Sequence, residues 1–364
     1  LIDQGKIGSR QLAVLVFLFT AGSSVLLSPP AVAAVAKQDA WIATLVAIAI
    51  GVLVVLLYER LGAQYPGMTP AELNERIFGK WLGKGISLLF FTFSFLLAAL
   101  VLRDIGDFMV TQLLPETPIS VIHLLFLLVV VMGIQMGLEP LARAAEIFFP
   151  IVLTLFIILL VLIIPELQWD RMLPILADGW RPIFQGAYVQ LSIPYMELVV
   201  FLMVLPYVKR PERAKRAFII GAFWGGVLLL VLTEATVLTL GNELSSLQPY
   251  PTFTMAKTIN VGDFVQRIEA ILGILWFLTI FVKMAVCFYA SVLGMAQTFR
   301  LQTYRPLVYP LALILFVLAL VVSPNAVHFK AFTIQTWPLY ALTFGLVLPL
   351  LQFGVAVLRK KMTS

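Results

Sequence analysis

Hydrophobic positions fall into ten stretches along this chain, centred near Phe19, Ile50, Phe95, Leu127, Leu155, Glu197, Leu229, Leu278, Ile314 and Leu346. Each is about 20 residues long, the length an α-helix needs to cross a bilayer core. Short polar turns separate them. The pattern predicts an all-α integral membrane protein of ten transmembrane helices, forming one domain over residues 1–364. Two stretches are interrupted at membrane depth. The first is cut at Thr20-Ala21-Gly22-Ser23-Ser24 and again at Ser28-Pro29-Pro30, and the sixth at Ser192-Ile193-Pro194-Tyr195. Irregular backbone survives in a bilayer only where protein or a cavity satisfies its freed N–H and C=O groups, so a matched pair of breaks points to a ligand site near the midplane.

Breaks in spans one and six divide the chain into two halves of five spans, a first repeat over about 8–166 and a second over about 182–361. An odd number of spans per half makes the halves inverted relative to each other, the LeuT-type 5+5 arrangement of transporters. The predicted fold class is therefore LeuT-type, with broken helices 1 and 6.

Composition agrees: 61% of the 364 residues are hydrophobic and 12% charged. The net charge of +6 does not call for nucleic acid, because the basic residues lie in the turns between spans. With both termini cytoplasmic, 17 of the 25 Lys and Arg residues fall inside, the densest group being Lys209–Arg216, which would face anionic lipid of the bilayer. Arg103 falls in the outside set of seven, and Lys283 alone lies within the membrane. Lys6, Arg10 and the small-residue run Ala31–Ala36 also fit a cleavable signal peptide, but cleavage would remove half of the paired break, so retention is expected. One cysteine, Cys287, excludes an internal disulfide and a cysteine zinc cage. There is no H-E-x-x-H pair, and Gly79–Gly85 lacks the spacing and the Ser or Thr of a phosphate loop. Neither metal nor cofactor is expected, and no constellation supports an enzyme.

A helix that stops and restarts presents free carbonyls on one side and free N–H groups with a positive dipole end on the other. An amino acid zwitterion fits both, its carboxylate on the N–H groups around Gly22, Ser23 and Ser24 and its ammonium on carbonyls near Ala21 and Ser192. Tyr195 is a candidate pocket wall, and Pro194 frees a carbonyl one turn back. Lys283 sits in the apolar run Ile271–Leu293, where an unpaired ammonium costs about 2.5–3.5 kcal/mol on insertion scales. Helical spacing puts Trp276, Thr279, Lys283, Val286 and Ala290 on one face, toward the bundle interior. Lys283 is read either as a built-in cation standing in for a coupling sodium or as a structural lysine paired with a carboxylate or carbonyls. Glu197, opening the second half of span six, is either a helix cap or a proton- or ligand-handling group. Gly221 and Gly225 read as a close-packing face.

Tyr58–Gly67 and Phe78–Gly83 resemble the end of span two in the amino acid/polyamine/organocation permeases. Gly137–Glu146, Pro206–Arg210 and Arg267–Glu269 with Trp276 narrow the resemblance to the spore germination permeases, the B subunits of nutrient germinant receptors. That resemblance covers essentially the whole chain. It implies a ligand, an amino acid first among candidates, at Gly22, Ser23 and Ser24 on span one, Leu97 on span three, Pro194 and Tyr195 on span six, and Lys283 with Cys287 on span eight. It also implies other receptor subunits as partners and the inner membrane of an endospore. Ser24 replaces a glycine often found there, and Lys283 stands where a neutral residue would be expected. Receptor subunit and proton-coupled amino acid transporter remain alternatives, since both need the same site.

Overall fold

A computed structural model describes residues 5–259 and 267–363, so the second repeat contains a stretch, 260–266, outside the described residues, as are the side chains of residues 360–363, Lys360 and Lys361 among them. Span one is α1 (Ser9–Ala21) and α2 (Ser24–Ala36), span two α3 (Ala40–Gln64), and the short α4 (Pro70–Phe78) precedes span three, α5 (Lys80–Phe108). Spans four and five are α6 (Ile119–Met136) and α7 (Leu138–Ile163). Span six begins as α8 (Trp180–Ser192) and restarts as a 3-10 segment, Met196–Met203. Then come α9 (Pro211–Leu247), the short α10 (Pro251–Thr258), α11 (Glu269–Thr298), α12 (Arg305–Val321), α13 (Ala326–Gln335), α14 (Trp337–Leu342) and α15 (Leu348–Thr363). Spans seven, eight and nine are α9, α11 and α12, and α14 with α15 forms span ten.

Eight stretches among the described residues are on their own long and apolar enough to span a membrane, one of them α2 and α3 run together. Separating those two, counting α1 with α2 as one broken span, and adding α12 gives ten spans. α12 does not continue into α13; the chain bends by 98° between them. Asn325 caps α13, its side chain accepting from the His328 N–H at 2.9 Å, and Lys330 on α13 donates to the Ser246 and Gln248 carbonyls at 2.7 and 3.2 Å. α13 is thereby tied to the end of α9. α7 presents most of its apolar surface outward, as a lipid-facing helix does, whereas α1, the 3-10 segment and most of α11 are buried.

The break in span one occurs where expected. α1 ends with the Gly22 N–H on the Leu18 carbonyl at 2.9 Å, and the chain leaves helical geometry at Gly22. The expected second interruption is absent: α2 runs through Pro29 and Pro30. Pro29 has no N–H for the Val25 carbonyl, and the Thr252 hydroxyl of α10 donates to that oxygen instead, at 3.1 Å. A donor from another helix keeps a proline-containing helix intact. Arg103 also departs from its expected place among the flanking charges. It is buried, paired with Asp107 at 2.9 Å and donating to the Leu320 carbonyl at 3.3 Å.

Glycines set the closest helix approaches. A Cβ at Gly221 would lie 2.5 Å from the Ala13 carbonyl oxygen and one at Gly225 2.7 Å from Thr20 Cβ, so the small face of α9 packs on α1 as its spacing suggests. At the end where the chain starts, Ile7 and Val208 form a parallel bridge, with Ile7 N–H on the Tyr207 carbonyl and Lys209 N–H on the Ile7 carbonyl, both at 2.9 Å. This strap ties the entry to span one to the exit of span six. Ile7→Pro removes one of its two hydrogen bonds, worth roughly 0.5–1.5 kcal/mol. The buried thiol of Cys287 should then react with N-ethylmaleimide about three- to tenfold faster, and an unchanged rate would mean that the strap does not hold the bundle shut.

Candidate functional site

The two breaks meet at Lys283. α11 carries it into the centre of the bundle, on the same buried face as Trp276, Thr279, Val286 and Ala290. Its Nζ lies 2.5 Å from Glu197 Oε2, on the restarting half of span six, and donates to Ser23 Oγ, in the break of span one, at 2.6 Å. It also sits 5.4 Å from the centroid of the Phe19 ring. Trp337 Nε1 donates to the other oxygen of Glu197 at 2.9 Å. The side chains of Lys283 and Glu197 are 0% and 2% exposed. The carboxylate partner that one reading of Lys283 called for is therefore present, and it is the same Glu197 read as a cap. A buried pair needs such additional hydrogen bonds, because mutual attraction alone does not offset the loss of hydration.

Beside this pair is a cavity walled by Ser23, Leu97, Asp104, Glu197, Phe329 and Trp337, among others. The room it leaves for the centre of a water molecule is about 20 Å³, which is space for a water and not for an amino acid. In this conformation the site is closed. The aromatic residues of its wall, Phe329, Phe332 and Trp337, come from α13 and α14.

Of the residues singled out from the sequence, Ser23, Leu97 and Glu197 line this cavity. Gly22 lies against the stem of Lys283, where a Cβ would come within 2.6 Å of Lys283 Cδ and 2.8 Å of the Phe19 carbonyl oxygen. Ala21 and Ser24 are buried beside it, the Ser24 hydroxyl without a hydrogen-bond partner among the described residues. Ser192 caps its own helix, donating to the Val189 carbonyl at 2.7 Å. Pro194 is buried within the break. Cys287 is buried one turn beyond Lys283, and its carbonyl accepts from the Ser291 hydroxyl at 2.8 Å. The Tyr195 ring is not part of the cavity wall. It fills a slot between Gly51 of α3 and Gly226 of α9, and its hydroxyl reaches toward the Ala222 carbonyl at 3.5 Å.

Two residues of this constellation were not picked out in the sequence. Trp337 gave no signal beyond being aromatic. Asp104 lies in the Arg103–Asp107 group, whose four-residue helical spacing inside an apolar span is a sign of buried charge.

A family model described as spore germination protein matches residues 6–327. The chain belongs to the spore germination protein family. Spore germination protein KB of Bacillus subtilis (strain 168) is 30% identical over 367 residues, covering 99% of this chain and 97% of that protein. Spore germination protein YndE of the same organism is 26% identical, covering 98% of each. Among solved structures, the nucleobase-cation-symport-1 transporter Mhp1 with bound bromovinylhydantoin superposes with a TM-score of 0.71 over 93% of this chain and 76% of that one, at 12% identity. MhsT in complex with L-phenylalanine gives 0.67 over 98% and 99%, at 14% identity. This family member therefore has the LeuT-type fold of broken first and sixth helices expected from its hydropathy, and it is an integral membrane protein.

Proposed function

We propose that this chain is the nutrient-binding, permease-like subunit of a spore germination receptor, taking a small amino acid at the two helix breaks. The observation that carries the reading is Lys283, whose ammonium joins Ser23 in the break of span one to Glu197 in the restart of span six. The Ser24 and Val25 N–H groups at the start of α2 have no partners within the helix, so a ligand carboxylate would find them and the Ser23 hydroxyl on one side of the cavity.

The closed cavity gives the ligand its leverage. A molecule larger than water is admitted only when the walls separate, so binding favours the open arrangement by the difference in affinity between the two. In a receptor this difference is passed to other subunits; in the spore's inner membrane, with both termini cytoplasmic, the strap at Ile7 and Val208 would lie on the cytoplasmic side. The second reading, a proton-coupled amino acid transporter, draws support from the buried carboxylates Glu197 and Asp104. Uptake of amino acid by this chain alone in liposomes would favour it.

The site is tested with Gly22→Leu. The new side chain would enter the space held by the Lys283 stem and the Phe19 carbonyl, and displacing either disrupts the wall that the ligand meets. In a binding screen of the twenty amino acids, sugars and nucleosides against purified protein, the variant should lose about a hundredfold or more in affinity, a cost of two factors of ten at 1.4 kcal/mol each. Undiminished binding would move the site away from the span-one break.

A further inference from the structure

We propose that Asp104 is the residue that receives the positively charged group of the ligand, and that the site therefore selects molecules bearing an ammonium. The inference rests on the site proposed above and adds the residue that takes the ammonium and, with it, the ligand's orientation.

Two ionisable side chains line the cavity, Glu197 and Asp104. Glu197 is matched by Lys283 and held by Trp337. Asp104, 0% exposed, has neither an ion-pair nor a hydrogen-bond partner on either carboxylate oxygen among the described residues. Its neighbour Arg103 is engaged by Asp107 and the Leu320 carbonyl. A buried carboxylate with two unfilled oxygens on a cavity wall is costly unless something fills them. Lys283 is engaged by Ser23 and Glu197, so nothing among the described residues does.

The arrangement has two poles. Ser23 and the start of α2 form a side that offers hydrogen-bond donors, and Asp104 on span three forms an acidic one. Neutral carbonyls in the breaks near Ala21 and Ser192 offer an ammonium only partial charge, and among carboxylates on the wall Asp104 alone is unmatched. A zwitterion spanning the poles places its ammonium on Asp104. A sugar, a nucleoside or a 2-hydroxy acid would leave the carboxylate bare, and the penalty for leaving a buried charged group unpaired excludes them more strongly than lost attraction would.

The test measures binding to purified full-length protein of the twenty amino acids, of the 2-hydroxy acid matching each that binds, and of glucose and inosine. Wild type, Asp104→Asn, Asp104→Glu and Gly22→Leu are compared. Asp104→Asn should weaken the amino acid by about 10- to 100-fold, the effect of a hydrogen bond to a charged group, and should strengthen the hydroxy acid, because no bare charge then opposes it. Asp104→Glu keeps the charge and should retain binding within about tenfold; it also serves as the folding control, with thermal melting of all variants. If Gly22→Leu abolishes binding while Asp104→Asn affects amino acid and hydroxy acid alike, the site stands and the role of Asp104 is overturned. The same holds if only uncharged ligands bind. If Gly22→Leu binds as wild type does, or if nothing binds wild type, the site and this inference fall together.

Discussion

Lys283→Met should destabilise the purified protein by about 3–5 kcal/mol and abolish its response to ligand, whereas adding Glu197→Gln should recover most of the stability and none of the response. The single change strands the Glu197 carboxylate at 2% exposure with the Trp337 N–H as its remaining partner, and breaking a buried pair from one side costs in that range. Replacing both members removes the stranded charge, and well-packed neutral substitutes for a buried pair are often no less stable. A merely structural pair predicts recovery of both stability and response in the double variant. Thermal and denaturant melting of the two single variants and the double one gives the coupling directly; additive losses would show that the two groups do not depend on each other.

The second large effect lies away from the cavity. Gly226→Ala places a methyl group on the Tyr195 hydroxyl and within 2.9 Å of Ile48 Cγ1, and α3 beside Gly51 blocks retreat of the ring. Overpacking of this kind costs about 1–3 kcal/mol, although Ala is otherwise the better helix former by up to about 1 kcal/mol. Because Tyr195 is the residue before the 3-10 segment that carries Glu197, its displacement should also lower ligand binding. Tyr195→Phe removes the clashing oxygen and should restore most of both. Gly226→Ala with wild-type stability and binding would mean that the slot is looser than its geometry, and failure of Tyr195→Phe to rescue would place the clash elsewhere.

Where the sequence could be read and where it could not follow from the range of the forces involved. Ten spans and the break at Gly22 were legible because burial in lipid imposes a length and a composition on each helix locally. Lys283 was legible for the same reason, as a charge with no route to water. Its partner could not be chosen, since Glu197 is equally an acceptable first-turn residue of a restarting helix, and only the packing of span eight on span six decides. Pro29 and Pro30 looked like a break because the donor that mends it, Thr252, belongs to another helix. Asp104 next to Arg103 looked like the edge of a span, and its burial shows only when α12 and α13 are in place. Tyr195 beside a break suggests a wall, but the two glycines that make its slot lie on spans two and seven.

The restart of span six as a 3-10 segment has a mechanical corollary. A 3-10 helix rises about 2.0 Å per residue and an α-helix 1.5 Å, so the eight residues Met196–Met203 hold roughly 4 Å more length than they would as α-helix. Rewinding them would draw the exit of span six toward its break and turn the segment about its own axis. The Ile7–Val208 strap would carry that stroke to the first residues of the chain. Stored length in one short segment would thus give a ligand at membrane depth a lever on whatever touches the strap.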